Sequence, residues 1–130
     1  MAAVHERNGT LHQRELERQA ALEQWEAAVV AYHLERDRLT ESIANPGSGI
    51  QAATLTGAAL LCEAHRDRVA GAAKALADAD ELLAAASSAA MEARAIYRRT
   101  LARQDALLTL QTTWQKAQRH RGLRLEEQEA

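Results

Sequence analysis

The sequence predicts an all-α fold, a long antiparallel two-helix coiled-coil hairpin whose second helix overhangs the first. Three observations carry that expectation. Proline occurs once in 130 residues, and Ala, Leu, Glu, Arg and Gln, all strong helix formers, dominate. Apolar residues recur in two long tracts at alternating steps of three and four, the period of a coiled-coil seam. One cluster of breakers, Asn45-Pro46-Gly47-Ser48-Gly49, separates the tracts. With no Phe, two Trp and two Tyr, the chain has too little apolar bulk for a wide core but enough for a narrow helical assembly. It reads as a single elongated domain spanning 1–130.

The first helix is expected over about 10–44. Thr10-Leu11-His12-Gln13 has the form of a capping box after the breaker pair Asn8-Gly9, although a start near Ala2 is also compatible with the sequence. Its seam runs through Leu22, Trp25, Val29 and Tyr32, slips at the polar Arg36, and resumes at Leu39 and Ile43.

A turn is expected over 45–49, because Pro46 removes a backbone donor and disfavours helix before it, while Gly47 and Gly49 accept left-handed dihedrals.

The second helix is expected over about 50–121, opened by a second capping box from Ser48 to Gln51. Its seam reads Leu55, Ala58, Cys62, His65, Val69, Ala72, Leu76, Ala79, Leu83, Ala86, Ala90 and Ala93, continuing less regularly to Tyr97, Leu107 and Trp114. Gly122, after Arg119, His120 and Arg121, is the natural stop, leaving an acidic tail over 122–130. Folding about Gly47 brings positions summing to about 95 together, so Trp25 meets Ala70 to Ala72, bulk against small side chains. The alternative is a three-helix bundle with a break near Ser87-Ser88.

The two helices differ in length, about 50 Å against about 110 Å at the usual helical rise. Roughly half of the second helix therefore lacks an internal partner. That half holds Tyr97, Leu101, Leu107, Leu108, Leu110 and Trp114 within a basic stretch: from Ala93 to Arg124 there are eight basic residues and one acid, Asp105. The stretch is net +7 in a chain whose total is -2. A bare apolar stripe bordered by positive charge is the signature of a protein-docking surface.

Chemistry finds little footing. The histidines show no paired ligand spacing, and only His33 with Cys62 come near each other in the expected register, so no metal and no cofactor are expected. Phosphate-binding glycine motifs are absent, and a narrow coiled coil has no cleft in which to shift a carboxylate pKa. The chain is expected not to be an enzyme. The basic stretch lacks the layout of a nucleic-acid-binding region, so nucleic acid is not an expected partner. One cysteine and the lack of an apolar run of spanning length point to a cytoplasmic, soluble protein without direct membrane insertion.

The segment Tyr97-Arg98-Arg99-Thr100-Leu101-Ala102-Arg103-Gln104-Asp105-Ala106-Leu107-Leu108, then Trp114-Gln115-Lys116 and the ending Glu126-Glu127-Gln128-Glu129, resembles the FliJ/YscO-like central-stalk proteins of flagellar and virulence type III secretion systems. The early turn at Pro46 and the glycine at Gly71 depart from that pattern. The resemblance implies a rod seated in the pore of a hexameric secretion ATPase and linked to the export gate, peripheral to the inner membrane, with secretion chaperones as further partners. Its expected contact surface is Tyr97, Arg98, Leu101, Leu108, Trp114 and Arg121. Two other functions fit the same features: a secretion chaperone or escort, and a structural coiled coil that self-associates through its overhang.

Overall fold

A computed structural model describes residues 1–44 and 52–129, and within them the chain is two helices, α1 (Ala2–Ala44) and α2 (Ala52–Glu129). They run antiparallel and pack along the whole of α1. Two contacts between the helices fix the register. Arg18 Nε donates to Asp80 Oδ1 at 2.5 Å, and Arg94 Nη2 donates to Asn8 Oδ1 at 2.9 Å. Paired positions thus sum to about one hundred, a little more than folding tightly about Gly47 gives. The expected turn, 45–49, and the first expected residues of the second helix lie outside the described residues.

The seam of α2 follows the predicted spacing closely. Every position from Leu55 to Tyr97 in that series is half-buried or buried, while its neighbours are mostly exposed. On α1, Leu22, Trp25, Val29, Tyr32 and Leu39 are half-buried as expected. Ile43 is not: it remains 62% exposed, and Ser42 is covered in its place. Around the polar slip the covered residue is Glu35 rather than Arg36, whose guanidinium instead lies 5.9 Å from the centre of the Tyr32 ring. Glu35 and Ser42 stand at seven-residue steps from Ala21 and Ala28, which are also half-buried, so this column of the seam runs one position before the one read through Leu22, Val29 and Arg36.

The most enclosed point is an alanine waist. Ala90 is 1% exposed and Ala86 8%, and they are the only buried residues among those described. The groove beside them is lined by Arg7, Thr10 and Arg14 of α1 and by Leu82, Ala85 and Ala89 of α2. Methyl side chains let the two backbones approach until little water-accessible space remains. The alternative break at Ser87-Ser88 is therefore corrected: the serines sit in the middle of this waist, and α2 passes through them without interruption. Two serines cost a helix only about 0.5 kcal/mol each relative to alanine, less than the packing around them returns.

The outer boundaries fall at the earlier of the two starts open to α1 and beyond the stop expected for α2. Helix α1 starts at Ala2, and Thr10 turns its hydroxyl back to the Glu6 carbonyl at 3.1 Å instead of capping an end. The reason is tertiary. The first two turns lie against Ala89 to Thr100 of α2, and the Asn8–Arg94 hydrogen bond ties them down. Helix α2 runs through Gly122 to Glu129, so Glu126, Glu127 and Glu129 of the acidic tail are helical. One glycine costs about 1 kcal/mol, and Leu123, Arg124, Leu125 and Glu126 beyond it are all good helix formers. Gly71 likewise leaves the helix unbroken.

Candidate functional site

The site is defined by where α1 begins. Met1, Ala3 and Val4 line one hollow together with Tyr97, Thr100, Leu101 and Gln104, so intramolecular cover ends there. From Arg98 onward every described residue of α2 is exposed. The bare part is shorter than the sequence suggested, because eight further residues at the start of α1 are helical and paired. At about 1.5 Å per residue, the stretch 102–129 projects some 42 Å beyond the hairpin.

The six residues expected to form the contact surface are not brought to one face. Tyr97 is half-buried against the start of α1 and belongs to the hairpin's own seam. Leu101 lies at the junction, 40% exposed. Leu101 and Leu108 are two turns apart on one side of the helix, whereas Trp114 and Arg121, also two turns apart, lie about 120° around it. Arg98 lies about 60° from Leu101, on the side away from Trp114. Leu107 shares the side of Trp114, and the two are 66% and 63% exposed. Leu110, Leu123 and Leu125 complete the uncovered apolar set.

The bare helix holds its own backbone with little side-chain help. Thr100, Thr109, Thr112 and Thr113 each donate to the carbonyl four residues earlier, at 2.9 to 3.0 Å. Such bonds keep hydroxyls occupied without adding tertiary stability. Elsewhere the surface is laced with short-range pairs. Arg14 Nη1 donates to Glu17 Oε2 at 2.8 Å, and Gln13 Nε2 to Glu17 Oε1 at 3.4 Å; these two bonds, Arg14 first, hold the Glu17 carboxyl below its ordinary pKa.

Among the described residues there is no group of His, Cys, Asp and Glu fit to hold a metal ion. His33 is exposed beside Tyr32, its ring centre 5.6 Å away. The observed register carries Cys62 past His33 toward Leu39, so the one pairing singled out from sequence is not formed. The hollows along the coil are open grooves lined largely by alanine and aliphatic side chains. One is framed by Glu23, Glu26, Ala27, Val30, Ala31 and Leu34 on the outer side of α1. No helix among the described residues is long and apolar enough to cross a membrane.

Fold and site together define a helical hairpin with a projecting single helix. No protein-family model matches the chain, and the searches of curated proteins and of solved structures returned no match.

Proposed function

We infer that the protein is a non-enzymatic rod that works by docking the bare end of α2 onto another protein. The observation that carries this reading is the uncovered helix itself. Leu107, Leu108, Leu110 and Trp114 stand in water along a single helix that carries Arg103, Lys116, Arg119, Arg121 and Arg124. A helix that exposes such a set has its apolar stripe covered only when a partner is bound.

The partner proposed is the hexameric ATPase of a type III secretion system, with the export gate as the second attachment. The support is the resemblance of the segment from Tyr97 to Leu108 and of the acidic ending to the central-stalk proteins. The slender shape suits an axial pore, and a basic helix end suits acidic loops of a surrounding ring. In that setting the rod is cytoplasmic and peripheral to the inner membrane.

The test is ATP hydrolysis by the secretion ATPase of the same organism, titrated with the intact chain and with a chain ending before Leu107. The hairpin survives the cut, since its cover ends near Leu101. A change in rate or in ring assembly with the intact chain alone is the expected outcome. Equal behaviour of the two chains, or no binding by either, would sink the assignment.

A further inference from the structure

The seam that α1 occupies does not stop where α1 does. Counted on from Tyr97 with the same alternating steps, it passes through Gln104, Leu107, Gln111, Trp114, Gln118 and Arg121, all exposed. The bare helix therefore continues an established interface, in phase, with nothing on the other side. Its composition changes, however. One of the two alternating columns, filled lower down by Leu76, Leu83 and Ala90, becomes Gln104, Gln111 and Gln118, at steps of seven residues. Apolar Leu107 and Trp114 remain on the other. Buried amides between apolar layers favour a partner that offers hydrogen-bonding groups at matching heights, and they set register.

Charge chooses between occupants. On and beside this seam from Leu101 to Leu125 the charged residues are Arg103, Arg121 and Arg124; Asp105, Lys116 and Arg119 fall on the outer side. A second copy fits poorly on two counts. Running parallel, it collides at Leu101 with α1, which already fills the seam below. Running antiparallel, it sets Arg103 of each chain across from Arg124 of the other. By contrast α1, the helix that fills the lower half of the seam, carries eight acids and five bases.

We propose that the seam from Gln104 to Arg121 is a coiled-coil receptor for one amphipathic helix with acidic flanks, which lies in line with α1 and completes the rod. The proposal deepens the docking reading by naming the chemistry of the partner, and it does not depend on that partner being a secretion ATPase. The cationic flanks attract and orient the incoming helix, the leucine and tryptophan supply cover, and the glutamines reject a partner that is apolar at their heights.

Two synthetic helical peptides of equal length test it on the full chain by isothermal titration calorimetry. Both carry leucine on the seam, with asparagine at the heights of the glutamines; one has glutamate on the flanks and the other lysine. The acidic peptide is expected to bind at least about tenfold more tightly, the ratio that a few like-charge and opposite-charge contacts produce together. Leu107→Ser should weaken that binding, whereas Leu123→Ser, on the opposite side of the same helix, should leave it unchanged. Equal affinity for the two peptides would overturn the proposal, as would equal sensitivity to the two substitutions. A chain that sediments alone as a dimer, and returns to monomer on Leu107→Ser, would assign the seam to a second copy and overturn it as well. Charge preference retained without any effect on the ATPase would sink the secretion assignment alone.

Discussion

Alanine and glycine at different places on α2 do opposite things, although both are small. Ala90 is 1% exposed at the waist of the hairpin, so its size sets how near the helices come. Ala90→Leu should lower stability by about 2 kcal/mol, the usual range for forcing added methylenes into a closed contact, read as a drop in the thermal midpoint. Gly71 faces open space, where an added Cβ meets nothing within 4 Å. Gly71→Ala should raise stability by about 0.5 to 1 kcal/mol by removing a flexible point from a long helix. Finding both substitutions neutral would show that helix spacing is set elsewhere. The sequence made the α2 seam legible because alanine, leucine and valine kept strict steps over six heptads. It did not reveal the waist, since nothing in a run of alanines says which of them lies closest to the partner.

At the scale of elements, the start of α1 decides how much of α2 is free. The sequence left two starts open, Thr10 after the breaker pair Asn8-Gly9 or a point near Ala2, and the contacts of residues 2–9 with the region from Ala89 to Thr100 favour the earlier one. Deleting residues 1–9 should leave the rest of the hairpin folded while uncovering Tyr97, Ala93 and Leu101. The measurable result is faster amide exchange over 93–101 and unchanged exchange over 55–80. Uniform acceleration along both helices would mean instead that the first turns nucleate the whole hairpin. The local reading did fail at Gly122: a breaker is weighed against its whole helix, and one glycine among good helix formers loses. Short-range signals thus gave the existence and pairing of the elements, longer-range contacts hold the start of α1, and summed propensity carries α2 past Gly122.

The whole molecule combines two regimes of stability. Over the paired length, helix is held by side chains on both sides of a seam. Beyond Leu101 it rests on intrinsic propensity, and the hydroxyl-to-carbonyl bonds of Thr109, Thr112 and Thr113 only keep those hydroxyls occupied. Heating followed by circular dichroism should therefore show a gradual loss of ellipticity from the bare end before a cooperative transition of the hairpin. A single sharp transition would require the projecting helix to be covered, by a partner or by another copy. The exposed apolar and basic residues of the bare helix were legible from sequence as a set, because leucine, tryptophan and arginine concentrate after Leu101. Their division between sides was not, because it depends on where the α1-covered seam re-emerges.

The unequal helix lengths make the molecule a ruler with an internal zero mark. Met1 sits beside Leu101, part-way along the longer helix, and Glu129 lies about 42 Å further on if the rise is uniform. A probe at residue 1 therefore reports on the foot of the projecting helix and a probe at residue 129 on its tip. The span between them measures how far that helix stands clear of the hairpin.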